Sequence, residues 1–402
     1  MKSAANAVPH EFEKKRERLR RRCNDLHFKD GRNKREIREL LGVSRDFVTT
    51  WTKERDQDVL VDGRGWKKGR RRSVAEETVE LVKKIHDELE ADPQEYFSGP
   101  NAVRSAWELR HGDAAPPLRT IGQILQDTGR TKPRRARRRR GGAAYLCYPE
   151  ASLNSELGRL VEADFIGPRY LKGRGKPIHF LGFSSKSPPK FRHYRRIQSQ
   201  TGAELLAGAD ALFERFGRPD ALKMDNAAAG LGTTSGVRCI SSAMFHLFER
   251  QVVPVFSVPR KPFSQASIEG NNSVFARFFW NRREFADTRE IDRCLIDFNE
   301  SSLRLAAYQK PPAGTGARFE LKVIFLRQVL DQTQGREAGA IQLLNTKIPI
   351  RKEYINLFVW AEWRLQDEKL LVQVQRDEAL ETIKEINFPI HPKSRKRLLK
   401  ID

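Results

Sequence analysis

The sequence of 402 residues is short of the features that mark several protein classes. Its four Cys lie far apart without a C-x-x-C pair, and its eight His are scattered, so neither a disulfide framework nor a zinc finger is indicated. No apolar run approaches the roughly 20 residues of a membrane span. The N-terminus is charged from Lys2 onward and has no signal-peptide core. We therefore expect a soluble intracellular protein with no membrane partner.

Acidic residues are also few relative to basic ones. The chain has 52 Asp and Glu against 75 Lys and Arg, which gives a net charge of +23. Apolar residues make up 39% of the chain, enough for packed cores. Charge concentrated in short segments suits a partner with a phosphate backbone, although solvated linkers contain such runs too. The basic runs are Lys14–Arg22, Arg64–Arg72, Arg130–Arg140 and Lys393–Lys400.

Residues 34–55 have the pattern of two short helices separated by a glycine. Ile37 and Leu41 belong to an apolar stripe, Gly42 ends it, and Ser44 stands where it would cap a second helix. This pattern predicts a helix-turn-helix DNA-binding domain over residues 1–62, although many other folds contain two such helices. The positions of the second helix predicted to face a major groove are Arg45, Thr49, Thr50 and Lys53.

Three further helical patterns predict a second helical unit over residues 73–129. Ser73 and Glu76 form a capping box at its start, and further helices follow from Pro100 and near Pro117. This unit is either a second helix-turn-helix-like DNA-binding domain, with Arg119 and Gln123 exposed on its last helix, or a structural spacer.

Residues 130–150 form a basic linker arm in this interpretation. Like charges, Pro133 and a Gly pair oppose independent folding, and Arg side chains suit the negative potential of a minor groove. A nuclear-localisation-like address has the same composition. The arginines that we expect to contact DNA are Arg137, Arg138, Arg139 and Arg140.

From Leu157 onward, strand and helix patterns follow in the order β-β-β-α-β-α-β-α. Asp164 lies near the end of the first strand pattern, Asp225 follows the fourth, and Glu269 lies about one turn into the last helix. Three carboxylates in these places can form one cluster of oxygen ligands, whose mutual repulsion Mg²⁺ would relieve. Singly, each acid is more often a turn cap or a partner of a helix dipole, so the inference depends on all three.

The motifs VEADFIGP, LKMDNAAAG and PFSQASIEGNN, in this order, resemble the three motifs of the DDE integrase and transposase core, which has the RNase H-like fold. The resemblance covers roughly Leu157–Leu305, and the layout is similar to that of bacterial insertion-sequence and Mu-type transposases. It implies that Asp164, Asp225 and Glu269 are the catalytic triad and bind two Mg²⁺ (or Mn²⁺) ions per active site. The chain departs from the family at Ala227, where Gly is usual.

The activity that this resemblance implies is metal-dependent cleavage at element ends, followed by transfer of the 3′-hydroxyl into target DNA. It further implies double-stranded DNA as the partner, a dimer or tetramer of this chain on DNA, and a bacterial cytoplasm with association to the nucleoid. The alternatives are a non-catalytic DNA-binding regulator or domesticated transposase, and a metal-dependent nuclease on the same fold. The basic residues near the three acids that we expect to contact phosphates are Lys190, Arg192, Arg260, Lys261 and Arg277.

Together these patterns predict a multidomain protein. All-α helix-turn-helix units are followed by a central α/β RNase H-like core with a mixed sheet over residues 151–305. A helical connector is expected over residues 306–335. Short strand patterns predict a small β-barrel over residues 336–390, and a basic tail fills residues 391–402.

Overall fold

The computed structural model describes residues 7–55, 74–112, 115–131, 156–232, 237–310, 319–332, 338–377 and 379–399. The chain divides into two compact units, Met1–Ala75 and Glu76–Asp402. Within the described ranges, no helix has both the length and the apolarity to cross a membrane. The arm residues Arg137, Arg138, Arg139 and Arg140, the capping residue Ser73 and the basic run at 64–72 lie outside the described residues.

The first unit contains three helices, which are α1 (Ala7–Phe28), α2 (Lys34–Leu41) and α3 (Arg45–Trp51). Gly42 ends α2 in a left-handed conformation with φ 60°, which glycine adopts without steric cost. Ser44 caps α3, since its hydroxyl accepts a hydrogen bond from Phe47 N at 3.2 Å. Ile37, Val48 and Trp51 are buried together between the helices. The two helices and the cap that the sequence predicts are therefore confirmed.

The second unit begins with three helices, α4 (Glu76–Ala91), α5 (Pro100–His111) and α6 (Leu118–Asp127). They belong to the same compact unit as the large sheet. Tyr96 and Phe97, which follow α4, lie in one hydrophobic cluster with Phe279 and Phe298 of the sheet-covering helices. The Tyr96 hydroxyl donates a hydrogen bond to the Cys294 carbonyl at 2.9 Å. The predicted second helical unit thus packs on the rest of its unit through buried aromatic side chains.

A large mixed sheet forms the body of the second unit. Its described strands are hydrogen-bonded in the order β12-β11-β10-β6-β5-β4-β1-β2-β3. The pairs β1/β4, β4/β5 and β5/β6 are parallel, and the other neighbours are antiparallel. The strands are β1 (Leu160–Arg169), β2 (Ile178–Ser185), β3 (Arg192–Ile197), β4 (Ala221–Met224), β5 (Val253–Phe256), β6 (Lys322–Gln328), β10 (Phe358–Arg364), β11 (Lys369–Arg376) and β12 (Ala379–Asn387).

Helices cover both faces of the sheet. Successive side chains of β1 therefore point into hydrophobic clusters on opposite faces. Val161 and Ala163 face one cluster, and Leu160 and Ile166 face the other side. The covering helices are α7 (Gly202–Phe216), α8 (Ala228–Leu231), α9 (Ser242–Glu249), α10 (Ala266–Phe275) and α11 (Thr288–Leu305). A π-helical turn, Ala276–Trp280, extends α10. The predicted order of strands and helices up to this point agrees with the observed one.

The prediction of a helical connector after α11 is wrong. The described part of 306–335 contains β6 and a short strand β7 (Leu330–Asp331) instead of a helical connector. The β-branched and aromatic run Val323–Phe325 completes the sheet beside β5, a pairing with a distant segment that helical periodicity does not reveal.

The predicted barrel over 336–390 is also replaced by another arrangement of its described strands. β10, β11 and β12 extend the large sheet, while β7, β8 (Gly339–Leu343) and β9 (Thr346–Ile350) form a separate three-stranded sheet. Both sets contribute to one hydrophobic cluster, in which Ile348 and Trp363 are buried. The two sheets share this hydrophobic cluster, and among the described strands no hydrogen bonds join them into a closed barrel.

The basic tail contains a short helix, α12 (Pro392–Leu398), that packs against the sheet. Arg395 pairs with Glu368. Arg397 lies 3.9 Å from Glu249 and 4.2 Å from the Phe245 ring centre. Two cations of this run therefore interact with their own chain.

Candidate carboxylate site at the ends of two parallel strands

Asp164 and Asp225 occupy equivalent positions on neighbouring parallel strands. β1 and β4 pair Leu160 with Ala221, and the same register continues to Glu162 and Lys223. Two residues further, Asp164 on β1 comes opposite Asp225, which directly follows β4. Parallel neighbours lie about 4.8 Å apart, so the register brings the two carboxylates together at one edge of the sheet. That these two acids share a site stays a prediction, which this register supports.

The electrostatic environment of Asp164 reflects this proximity. Burial raises the pKa of its carboxyl group from 3.8 to about 7, and the charge of Asp225 and, more weakly, that of Glu269 add to the increase. Hydrogen bonds from the backbone of Phe165 and from Asn272 act in the opposite direction. The other two predicted acids, Asp225 and Glu269, are therefore close enough to influence the protonation of Asp164.

Glu269 lies in the first turn of α10, and its side chain is exposed. One turn later, Asn272 donates a hydrogen bond from Nδ2 to Asp164 Oδ2 at 2.8 Å. Gly182 on β2 makes this approach possible, because a Cβ there would lie 3.2 Å from Asn272 Oδ1 and 3.0 Å from the Tyr194 ring. The sequence suggested Asn272 as a phosphate contact and not as a partner of Asp164. It gave no signal for Gly182, which is paired with Asp164 across β1 and β2.

The residues after Asp225 form a short turn that ties β4 to β5. Ala227 N donates to Asp225 Oδ1 at 3.0 Å, and Asn226 Nδ2 donates to the Ser257 carbonyl at 2.6 Å. Ala227 does not have a positive φ. The turn therefore has no need of the glycine that the resembling family usually has at this position.

A buried ion pair lies two residues before the two aspartates on the same strands. Lys223 Nζ is 3.0 Å from Glu162 Oε1, and both side chains are 0% exposed. Glu162 Oε2 accepts a hydrogen bond from Ile268 N at 2.9 Å, while Lys223 Nζ donates to the Ser264 carbonyl. The sequence prediction missed this pair as well, although two charged residues inside apolar strands were a visible signal.

The donor set at this edge fits a divalent cation in part. Carboxylate oxygens are the ligands that Mg²⁺ prefers, and a cation would relieve the repulsion from Asp225, which adds to the effect of burial in raising the pKa of Asp164. Among the described residues, however, no three His, Cys, Asp or Glu side chains are arranged to hold a metal ion. The two aspartates supply adjacent ligands, and Glu269 does not complete a three-ligand cluster in this conformation.

A groove of about 1000 Å³ runs along α10, and its lining includes neither of the two aspartates nor Glu269. Ser267 and Asn271 of α10 line one side, and the other side carries Lys186, Lys190 and Arg192. Asn271 Nδ2 donates to Ser184 Oγ at 2.5 Å, which joins α10 to the end of β2.

The other basic residues predicted near the acids differ in their surroundings. Burial lowers the pKa of Arg192, whose guanidinium lies 5.9 Å from the Phe97 ring centre. Arg260 and Arg277 are exposed, and Lys261 is half-buried. Arg277 lies 5.6 Å from the Phe278 ring centre. These basic side chains thus have separate surroundings, and their contact with DNA stays a prediction.

Most of the predicted DNA-reading positions on the helices are exposed. Arg45, Thr49 and Lys53 point outward on or just after α3, and Thr50 is half-buried with its hydroxyl donating to the Asp46 carbonyl at 2.7 Å. Arg119 and Gln123 are exposed on α6. Gln123 Nε2 donates to Asp127 Oδ1 at 2.8 Å.

Comparison with known proteins gives limited information. No family model and no curated protein matches the chain. Among solved structures, one similar chain comes from the simian T-cell lymphotropic virus intasome in complex with PP2A regulatory subunit B56 gamma. It is 13% identical with a TM-score of 0.32, and the match covers 73% of this chain and 100% of that one. The Mos1 transposase paired-end complex with the left transposon end is 13% identical with a TM-score of 0.19, covering 73% of this chain and 77% of that one. Likenesses at such TM-scores carry no argument about activity.

Proposed function

We propose that this chain is a DDE-type DNA transposase or integrase with an RNase H-like core. The observation that supports the proposal is the register of β1 and β4, which pairs Glu162 with Lys223 and, if continued by two residues, brings Asp164 close to Asp225. The order of elements from β1 to α10 supports it, because it is the order that the resemblance of the three sequence motifs implies. A polynucleotidyl transfer reaction is the chemistry that such paired carboxylates serve best.

The chain's own residues have distinct roles in this proposal. Asp164 and Asp225 would hold Mg²⁺ or Mn²⁺, with Glu269 as the third ligand. When bound, two such ions activate the attacking oxygen and stabilise the leaving oxygen of a phosphodiester. Asn272 orients the Asp164 carboxylate through its hydrogen bond, and Asn226 fixes the turn that carries Asp225. The raised pKa of Asp164 means that its ionised, metal-binding form is favoured above about pH 7.

Double-stranded DNA is the substrate that the basic groups around this edge favour. Lys186 and Lys190 line the groove along α10, where a phosphate backbone would be attracted. In the first unit, α2 and α3 would act as a helix-turn-helix, with Arg45 and Thr49 reaching base edges at the element end. Because a recombination reaction joins two DNA ends, we further propose that the chain acts as a dimer or tetramer on DNA in a bacterial cytoplasm.

The test is a strand-transfer assay with a matched pair of proteins. Wild type and Asp164→Asn are incubated with Mg²⁺, a pre-cut element end and a supercoiled plasmid, because asparagine keeps the side-chain shape and removes the charge. We expect joined products from the wild type and at least a hundredfold loss in the variant, as expected when a metal ligand is removed.

The assay also separates the alternatives. Nicked plasmid without joined product would identify a nuclease, and DNA binding without any chemistry would identify a non-catalytic DNA-binding protein. Equal joining by wild type and Asp164→Asn would remove the carboxylate site from the mechanism. EDTA serves as the control for metal dependence in each reaction.

A further inference from the structure

The buried ion pair between Glu162 and Lys223 has no part in the proposed reaction. Each residue precedes an aspartate by two positions, so it shares a face of the sheet with that aspartate. Both side chains are completely buried. A buried ion pair is a weak source of stability, since apolar residues of similar volume often stabilise a protein as well or better. Stability alone therefore does not explain why an ion pair occupies this position.

Two further contacts of the pair go to the chain at the start of α10. Ile268 N, a backbone N–H in the first turn of α10, donates to Glu162 Oε2 at 2.9 Å. The helix has no side-chain cap of its own at Gln265. First-turn N–H groups have no partner within a helix, and a carboxylate there is also favoured by the helix dipole. Glu162 therefore takes the place of the missing cap.

Lys223 completes the connection from the other strand. Its Nζ donates to the Ser264 carbonyl in the turn before α10, and it lies 3.0 Å from Glu162 Oε1. One ion pair thus joins β1, β4 and the N-terminus of α10. Asp164, Asp225 and Glu269 extend from these same three elements, and Glu269 is the residue directly after Ile268.

We propose that Glu162 and Lys223 are positioning residues, which hold the start of α10 against β1 and β4 and so keep Glu269 within reach of a divalent cation bound by Asp164 and Asp225. This inference rests on the cation site of the proposed function, but not on the DNA chemistry. A stabilising role alone would predict a loss of stability without a specific change in the affinity for metal.

Two double variants of the full-length chain test the proposal. Glu162→Leu with Lys223→Met removes both charges at similar volume. Glu162→Gln with Lys223→Met also removes the charges but keeps an acceptor for Ile268 N. Mn²⁺ binding is measured by electron paramagnetic resonance without DNA, and thermal unfolding is followed by circular dichroism. We expect a lower melting temperature for the leucine variant, because Ile268 N loses its acceptor, and a smaller decrease for the glutamine variant. We expect a loss of Mn²⁺ affinity of at least tenfold for the leucine variant and a smaller loss for the glutamine variant.

Two further proteins make the result specific. Asp210→Asn with Arg250→Met removes a different ion pair, which lies between α7 and α9, and it should change Mn²⁺ affinity less than twofold. In a Glu269→Gln background, the leucine variant should lower Mn²⁺ affinity by less than a further twofold, because the pair acts through Glu269.

Unchanged Mn²⁺ affinity in the leucine variant, or an additive loss in the Glu269→Gln background, would overturn the proposal. If the leucine variant does not fold, the glutamine variant decides by the same criteria, with any loss below twofold counting against it. A wild type that shows the expected Mn²⁺ pattern but joins no DNA would refute only the proposed function. A wild type that joins DNA while both variants bind Mn²⁺ normally would refute only the positioning role.

Discussion

At the carboxylate edge, the ionised form of Asp164 that would bind a metal ion is the form that lowers the stability of the fold. Asp164 is held near Asp225 and Glu269 in a partly buried position, where burial and both charges favour its neutral form. An unfolded chain has no such penalty, so an ionised Asp164 destabilises the metal-free fold. Strain of this kind is typical of functional sites, where groups are held in arrangements that the fold alone would not choose.

The first residue-scale prediction concerns Asp164→Asn in the presence of EDTA. The folded pKa of Asp164 is about 7 against 3.8 for the free side chain, so the folded state binds more protons between these values. The penalty is therefore absent below about pH 4, grows as the pH rises, and is complete above about pH 7. We expect the variant to be more stable than wild type by up to about 4 kcal/mol at pH 8 and equal to it near pH 4.

Urea denaturation at a series of pH values measures this difference. Asn226→Ala is a useful control, because it removes a neutral hydrogen bond to Ser257 and its effect should not depend on pH. A constant difference between Asp164→Asn and wild type from pH 4 to pH 8 would contradict the assigned environment of Asp164.

A second residue-scale prediction compares two glycines near the site. Alanine at Gly182 would place its Cβ against Tyr194 and Asn272, whereas nothing lies within 4 Å of a Cβ at Gly270 on α10. We expect Gly182→Ala to cost about 1–3 kcal/mol of unfolding free energy, because α10 must move. Gly270→Ala should add up to about 1 kcal/mol through helix propensity. Thermal unfolding of both variants provides the measurement, and equal effects would show that α10 is not closely packed on β2.

At the scale of elements, the sequence predicts the helices and strands that are marked by local signals, such as a capping residue or an apolar run bounded by turns. Ser44 and Thr201 each precede a helix that they cap, and short apolar runs bounded by turns predict β1 to β5 to within a few residues. The pairing of β6 with β5 and of β10 with β6 joins segments far apart in the chain. Such pairing is not visible in the hydrophobic periodicity of either segment, so the connector and the barrel were predicted wrongly.

The candidate site divides in the same way between local and non-local signals. The three acids are visible in the sequence because each lies in one of the three motifs, although Asp164 lies in the middle of β1 and not near its end as predicted. The ion pair of Glu162 and Lys223 depends on the register of two strands that are separated by two other strands and a helix in the chain. Charged residues within apolar strands indicated that a partner must exist, but they did not identify it.

An element-scale prediction concerns adjacent threonines on α3. Thr49 is exposed, while the Thr50 hydroxyl already donates to the Asp46 carbonyl. If α3 reads base edges, Thr49→Ala should weaken binding to the element end by about 1–3 kcal/mol relative to unrelated DNA. Thr50→Ala, the matched control, should change this preference less. Competition binding at a fixed salt concentration measures both, and an equal loss of preference would argue against the assigned face of α3.

At the scale of the whole molecule, part of the positive charge is already neutralised within the chain. Arg130, the first residue of the basic arm, binds Asp87 through two hydrogen bonds of 2.8 and 2.6 Å. Arg395 and Arg397 of the last basic run pair with Glu368 and Glu249. These arginines secure α4 and α12 to their surroundings, so net charge alone overstates the number of groups available to DNA.

The division into two compact units leads to a prediction about which part recognises the element end. The first unit has its own buried core around Ile37 and Trp51, and the second contains the complete sheet with the carboxylate edge. We expect a chain that begins at Glu76 to keep its melting temperature and Mn²⁺ affinity, because no contributor to that edge is removed. Its preference for the element end over unrelated DNA should fall at least tenfold, as expected when the base-reading helix is lost. Strand transfer with competing DNA measures this preference. A truncated chain that still selects the element end would assign sequence reading to the second helical unit, where Arg119 and Gln123 on α6 are the exposed candidates.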